Sequence, residues 1–205
     1  MTYTGNATGA HDVRDWGAFT RLLELEPKAT QIFLNQPLFL PGLLQVPGYA
    51  AEMIGHILGL KPGSPELAER VQVRTERGEA FQKRLRSSSP PHLWAAIDEA
   101  VVRRKVGGAD VMRAQLDHLV AMTEFKTVHL AIIPLDHGAH AGLGGSFEVH
   151  ELGNGDASVY FEGSHDDVLV GDKPELARRC RETVKSMVSS GSDARAVLEA
   201  ISSSL

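Results

Sequence analysis

The sequence predicts an α+β domain, in which a mixed sheet of about five strands ends in an antiparallel C-terminal hairpin and is flanked by about five to six helices. Residues 92–133 follow the pattern strand, helix, strand, which is typical of a crossover connection between parallel strands. Residues 146–162 contain two extended runs around a Gly/Asn/Asp turn, which indicates the hairpin. Amphipathic stretches with apolar residues three and four apart supply the helices.

Residues 1–11 are small and polar, so we expect a disordered tail followed by a single domain over residues 12–205. Asp12 is placed to cap the first helix, while Ser64 and Pro65 suit the cap and first turn of a later one. The helices are expected at about residues 12–26, 47–58, 65–86, 109–125, 172–188 and 192–201, and the strands at about residues 30–35, 92–98, 128–133, 146–152 and 157–162.

Residues 37–49 form an apolar stretch that three prolines and two glycines interrupt. Proline fixes φ and lacks a backbone donor, and glycine permits positive φ, so this stretch is neither a regular helix nor a central strand. A rigid apolar segment has to be buried as a wrapped loop or line a cavity. Its central residues, Leu43, Leu44 and Gln45, are therefore expected either to form the wall of a ligand cavity or to fill the core.

The bulk composition limits the classes of function. A net charge of -5 argues against nonspecific binding of a polyanion. The single cysteine, Cys180, excludes an intramolecular disulfide and a cysteine-only zinc site, and its helical spacing with Val184 and Met187 predicts a core position. No apolar run approaches the roughly 20 residues of a membrane span, and the N-terminus lacks the features of a signal peptide. We expect a cytoplasmic protein without membrane contacts or a cofactor.

Several short motifs occur in a fixed order along the chain. They are Pro-Gly-Leu-Leu-Gln at 41–45 with Tyr49, Gly107-Gly108 leading into Val-Met-Arg-Ala-Gln-Leu at 111–116, and Gly-Ala-His-Ala-Gly-Leu-Gly-Gly at 138–145 followed by Phe147. In this arrangement the chain resembles, over about residues 16–205, the C-terminal antitoxin-like domain of bacterial Xre-type helix-turn-helix regulators.

The resemblance implies a regulatory binding module, either antitoxin-like or a small-molecule sensor, that acts through a protein partner or a ligand. Only about 15 residues precede the matching region, too few for a helix-turn-helix module, so we expect a stand-alone protein without direct sequence-specific DNA binding. Two positions depart from the family pattern, namely Val46, where a small hydroxyl residue is usual, and Arg77-Gly78, where an Arg-Gln pair is usual. The ligand-binding candidates from these motifs are Leu43, Leu44, Gln45, Tyr49, Gln115 and Phe147.

Two segments of opposite charge are candidates for partner binding. The helix over residues 65–86 places several arginines on one side, and this side is either a solvated face or a docking face for an acidic partner. Residues 148–175 contain eight acids and one base, a surface that would either steer a small basic protein partner or merely increase solubility. The partner-binding candidates are Arg70, Arg74, Arg77, Asp166 and Asp167.

An enzyme acting on a small specialised metabolite is the alternative function. A carboxylate at a strand end beside an apolar cavity can have a raised pKa and act as an acid or base, which makes Glu99 and Glu162 the first catalytic candidates. His140 and Tyr160 follow them. In the structural interpretation, Glu99 instead pairs with Arg103 four residues later, and Glu162 caps a turn.

Histidines and acids in residues 136–165 raise the question of a metal site. Asp136, His137 and His140 lie in one loop, and His150, Glu162 and His165 lie on or after the hairpin. The loop is rich in glycine and contains no known ligand motif, so ordinary surface or hydrogen-bonded histidines are favoured. We expect no metal.

Overall fold

The computed structural model describes residues 16–163 and 166–205. Its helices are α1 (Trp16–Leu25), α2 (Pro47–Leu58), α3 (Pro65–Leu85), α4 (Glu99–Arg103), α5 (Ala109–Met122), α6 (Pro174–Ser190) and α7 (Ala194–Ser203). Its strands are β1 (Ala29–Gln36), β2 (His92–Asp98), β3 (Val128–Ile133), β4 (Phe147–Leu152), β5 (Ala157–Phe161), β6 (Val168–Val170) and β7 (Ser192–Asp193). The predicted tail and the Asp12 cap lie outside the described residues.

All these strands belong to one mixed sheet with the order β6-β5-β4-β1-β2-β3-β7. Strands β1, β2 and β3 run parallel, with Leu34 opposite Ala95 and Ala95 opposite Leu130. The other neighbours are antiparallel, including the hairpin β4-β5. The α+β class, the mixed sheet and the C-terminal hairpin are therefore confirmed.

The described part of the chain has seven strands and seven helices, against about five and five to six expected. The two unexpected strands, β6 and β7, are three and two residues long and lie at the two edges of the sheet. Runs this short contain too few residues for an alternating pattern to be recognised. The last helix, expected from residue 192, begins at Ala194 and is capped by Asp193, which accepts a hydrogen bond from the Arg195 N–H.

Alternating side chains give the sheet two different faces. On one face, residues such as Ile32, Leu93 and Ile97 pack with Leu116 of α5 and Leu198 of α7 in the largest apolar cluster. On the opposite face, the described cover is α6, whose Val184 and Met187 pack on Phe33, Val149 and Val159. Cys180 packs against this second cluster but is only half-buried, so its predicted core position is met in part.

Residues 37–46 form a wrapped loop around a 3-10 turn at Gly42–Leu44, and the last three residues of the apolar stretch begin α2. Leu40, Leu43, Leu44 and Tyr49 are buried in the largest apolar cluster. Gln115 of α5 fixes the loop through two hydrogen bonds. Its Oε1 accepts from the Val46 N–H at 2.8 Å, and its Nε2 donates to the Leu44 carbonyl at 2.7 Å. Both backbone groups would otherwise be buried near apolar side chains without a partner.

The long helix α3 begins as the sequence predicts. Ser64 caps it by accepting a hydrogen bond from the Leu67 N–H, and Pro65 occupies the first turn. Gly78 faces the loop, because a Cβ at this position would be in van der Waals contact with the Leu43 carbonyl oxygen at 3.4 Å. The side of α3 that carries the arginines therefore faces this loop and the sheet. Among the described helices, none is long and apolar enough to cross a membrane.

Candidate functional site

A cavity of about 630 Å³ lies between the β4-β5 hairpin, helices α1, α2 and α3, and the loop over residues 37–46. Ligand cavities for small organic molecules fall in the range of roughly 300–1,000 Å³. The position follows from the fold, because α5 and α7 cover the parallel strands while α3 and α1 lie over the antiparallel half. The cavity therefore lies on one face of the sheet, beside the boundary between the part covered by α5 and α7 and the part covered by α3 and α1.

The helices and the loop provide an apolar wall. Phe19 of α1, Phe39 of the loop, Leu58 of α2 and Val73 of α3 all line the cavity. Two further apolar residues of the lining are largely exposed, Leu38 at 64% and Ile57 at 47%. These two side chains mark where the cavity meets solvent.

The antiparallel strands provide a polar floor. Glu148 belongs to β4, and Ser146 is the residue just before this strand. Tyr160 belongs to β5 and lies directly opposite Glu148. All three are at most 5% exposed. The alternation of β4 explains the arrangement, because Phe147 and Val149 face α6 while Ser146, Glu148 and His150 face the cavity side.

One ion pair at the cavity is structural. The Arg77 guanidinium donates to both carboxylate oxygens of Glu26, at 3.2 and 2.6 Å, and the two side chains are 8% and 7% exposed. Arg77 also lies over the Phe19 ring at 5.1 Å, and Arg84 donates to the Glu26 carbonyl at 2.8 Å. Such two-pronged, charge-assisted contacts fix geometry as well as charge. They attach α1 and the following turn to α3.

The acids and the phenol of the floor are also paired. The Glu148 carboxylate lies 3.0 Å from His150 Nε2. Burial by itself raises the Glu148 pKa, but the interactions with His150, Arg77 and Arg74 outweigh it and lower the pKa below its usual value. Burial and a hydrogen bond to Asp167 raise the Tyr160 pKa well above its usual value, so its phenol stays neutral.

Arg74 differs from its neighbours on α3. It lines the cavity, and among the described residues no acidic group lies within ion-pair distance of its guanidinium. Burial lowers its pKa, Arg77 lowers it further, and Glu162 and Glu148 partly offset this effect. Gly42 makes room for it, since a Cβ there would overlap the guanidinium. The cavity therefore contains a cation without a direct partner in the described chain.

Polar atoms without partners collect at the same end. In the described part of the chain, Ser146 Oγ and Gln45 Oε1 are buried and accept or donate no hydrogen bond, and both residues line the cavity. The two amide atoms of Gln36 are unpaired as well, and the β1-β4 register places Gln36 next to Ser146 on the same face. Buried polar groups in native proteins nearly always have partners. A ligand or bound water is the natural partner at this position.

The structure brings only one of the six sequence-predicted ligand residues into the cavity lining, namely Gln45. Leu43 and Leu44 are core residues, and the Tyr49 hydroxyl accepts a hydrogen bond from the Leu40 N–H at 3.2 Å within the core. Gln115 holds the loop, as described above. Phe147 belongs to the cluster on the opposite face of the sheet.

The four catalytic candidates fall into two groups. Glu162 and Tyr160 line the cavity, whereas Glu99 and His140 lie near the carboxyl end of β2. Glu99 accepts from the Leu135 N–H at 2.9 Å and from Arg103 at 2.6 Å, and these contacts lower its pKa against the effect of burial. The expectation of a raised pKa is therefore wrong for Glu99, and its predicted pairing with Arg103 is confirmed.

The partner candidates are mostly turned inward. Arg70, Arg74, Arg77 and Asp167 line the cavity, and Asp166 is exposed. Because Arg77 is buried against Glu26, the expectation of a solvent-facing basic surface is corrected at this position. His165, one of the histidines considered for a metal site and not favoured, lies outside the described residues, and within residues 16–163 and 166–205 no three His, Cys, Asp or Glu side chains group as metal ligands.

Sequence reasoning did not identify Ser146 and Glu148 as cavity residues. The signal was present in the alternation of residues 146–150, where polar side chains occupy every second position of a strand with apolar residues between them. A strand whose polar face is buried indicates a binding site. The sequence of the strand does not show this burial, because it depends on the helices that cover the strand. Those helices are distant in sequence.

The comparisons with known proteins give a family without an assigned activity. No curated protein and no solved structure matched the chain. One family model covers residues 19–203, nearly the whole length. The chain thus belongs to the family described as "Domain of unknown function (DUF5753)".

Proposed function

We propose that this domain is a binding module whose cavity holds a small amphipathic organic molecule. The observation that carries the proposal is the combination of an apolar wall with a buried floor on which Ser146 and Gln45 have unpaired polar atoms. A buried polar atom without a partner costs about 1–3 kcal/mol. A ligand that bonds these atoms and fills the apolar space recovers this cost.

A regulatory role is the biological context that the sequence favours. The resemblance to the antitoxin-like domain of Xre-type regulators supports a sensor that changes its interactions when the ligand binds. The net charge of -5 supports an action that does not use nonspecific DNA contacts. A small basic protein partner has less support, because Glu148 is buried and Glu162 and Asp167 line the cavity.

The enzyme alternative also has less support. Glu99 is held by two hydrogen-bond donors with a lowered pKa, which makes it a weaker acid–base catalyst near neutral pH. The raised pKa of Tyr160 makes its phenol a poor general base. Binding without turnover is the function that the geometry supports best.

A neutral fluorescent probe tests the binding function directly. We expect 1-aminoanthracene to bind the purified protein in a saturable 1:1 manner with increased fluorescence. Val73→Trp would fill the cavity from α3 and abolish this signal, whereas Leu143→Trp, at a 55% exposed position that is not part of the lining, would leave it unchanged. Circular dichroism would establish that both variants are folded.

Native mass spectrometry of the purified protein provides a second measurement. We expect a small-molecule adduct that is lost on denaturation and is absent from Val73→Trp. Failure of the probe to bind the wild-type chain, together with an unmodified native mass, would contradict the proposed function.

A further inference from the structure

We infer that the polar end of the cavity selects a carboxylate, which Arg74 and the Ser146 hydroxyl bind while an apolar chain extends toward Leu38 and Ile57. This inference rests on the proposed function, because it names the chemical class of the molecule that the cavity holds. It adds the head group, its orientation and the residue that decides between head groups.

The charge pairing around the cavity leaves one cation for a ligand. Arg77 is paired with Glu26, and Arg70 donates to Glu66 at 2.7 Å. The Glu148 carboxylate is paired with His150. Among the described cavity residues, Arg74 is the arginine that lines the space without an ion pair. An arginine retained in this state is the expected counterpart of a ligand anion.

The shape of the guanidinium favours a carboxylate. Its planar fork of N–H donors matches the two oxygens of a carboxylate, and the resulting bonds are charge-assisted. Ser146 adds a hydroxyl that is 5% exposed and has no partner in the described chain, so it is available as a further donor. Gln45 Nε2 already uses one of its two N–H donors on the Leu40 carbonyl at 2.7 Å, and the unpaired Gln45 Oε1 is an acceptor that does not bond a carboxylate oxygen.

The nearby acids set the strength of the preference. Glu148 and Glu162 interact favourably with Arg74 through space, and the same charges repel a ligand anion. A charge-assisted hydrogen bond contributes about 1.5–3 kcal/mol, which corresponds to a factor of roughly 10 to 150 in affinity. Because of this repulsion we expect the lower end, about tenfold, for a carboxylate over a neutral head group of equal chain length.

The orientation follows from the two ends of the cavity. Ser146 lies on the floor, and Arg74 of α3 interacts electrostatically with Glu148 and Tyr160 of that floor, whereas the exposed rim carries Leu38 and Ile57. Placing a charged head at the floor leaves the apolar chain on the apolar wall. The reverse orientation would leave the Arg74 guanidinium and the Ser146 hydroxyl against hydrocarbon, which is unfavourable.

Three probes with the same chain and different heads test the inference. Decanoate, decan-1-ol and decylamine are titrated against the 1-aminoanthracene complex at neutral pH, the two ionised probes below their critical micelle concentrations and decan-1-ol below its solubility limit. We expect decanoate to displace the fluorophore at about one tenth of the concentration that decan-1-ol requires, and decylamine to be weaker than both. Equal displacement by decanoate and decan-1-ol, or strongest displacement by decylamine, would overturn the carboxylate assignment while the cavity itself stands.

Three variants connect the preference to Arg74. Arg74→Gln is expected to remove the advantage of decanoate over decan-1-ol, whereas Arg113→Gln, on α5 outside the cavity lining and paired with Asp110, is expected to keep it. Gly42→Ala keeps the charge but displaces the guanidinium, and it is expected to reduce the advantage. An advantage that survives Arg74→Gln, or one that disappears equally in Arg113→Gln, would refute the role of Arg74. Absence of 1-aminoanthracene binding to the wild type would instead refute the proposed function.

Discussion

The two halves of one sheet face differ in whether their buried polar groups have hydrogen-bond partners. Beneath α5 and α7, the face is an apolar core, and the polar side chain within it, Gln115, uses both ends of its amide in hydrogen bonds of 2.7 and 2.8 Å. Above β4 and β5, Ser146 and Gln45 keep unpaired atoms, and Arg74 has no ion pair in the described chain. Satisfied polar groups hold the fold together, whereas unsatisfied ones indicate where the protein binds something else.

The largest expected effect comes from breaking the buried ion pair. Arg77→Met leaves the Glu26 carboxylate buried without its partner, and we expect the free energy of unfolding to fall by about 3–5 kcal/mol. The matched control is Arg74→Met, three residues earlier on α3, which should stay within about 1 kcal/mol of wild type because no close pair is lost. Urea unfolding of both variants measures this difference, and equal losses would show that Arg74 is structural too.

A smaller effect is expected from Gln115. Gln115→Leu leaves the Val46 N–H and the Leu44 carbonyl buried without a partner, so the free energy of unfolding should fall by roughly 2 kcal/mol. Ser146→Ala, which removes a hydroxyl without a bond in the described chain, should change it by less than about 0.5 kcal/mol. Comparable costs for the two substitutions in urea unfolding would contradict the distinction between the two halves.

The smallest effect is a change in pH dependence. The Glu148 pKa is lower in the folded protein than the ordinary value of 4.5, so the ionised carboxylate stabilises the fold above that value. This contribution is lost as the pH falls through the folded pKa. Glu148→Gln should therefore be less stable at pH 7 and lose less stability on acidification below about pH 4.5 than wild type.

Thermal unfolding across this pH range measures the difference. The control is Glu182→Gln on α6, whose carboxylate makes an ion pair at 56% exposure and should barely alter the curve. If the unfolding temperatures of wild type and Glu148→Gln change with pH in parallel, the folded protein does not stabilise the ionised form of Glu148.

The sequence predicts the elements much better than the cavity. Helix starts at Pro47 and Pro65 and the strands of the hairpin follow from local chemistry, namely proline at a first turn and alternating side chains. The cavity depends on which helix covers which strand. From the sequence, the arginines of α3 are interpreted as a solvated face. Helical spacing shows that they share one side of the helix, but it does not show which part of the protein that side packs against.

Position within a motif was also a poor guide to role. Leu44 and Gln45 are adjacent in the same sequence motif, yet Leu44 is in the core and Gln45 lines the cavity. The alternation of a strand is regular enough to assign a face, whereas a 3-10 turn between two prolines is not. Only the packed structure separates these two neighbours.

This division within residues 37–49 has a consequence for how specificity changes. Leu38 and Phe39 line the cavity and are not among the buried core residues, so a library randomised at these two positions would alter ligand preference while most members still fold. A library at Leu43 and Leu44 would return mainly unfolded chains. Within one short loop, therefore, two positions are free to diversify under selection for new ligands, and their neighbours are constrained by folding alone.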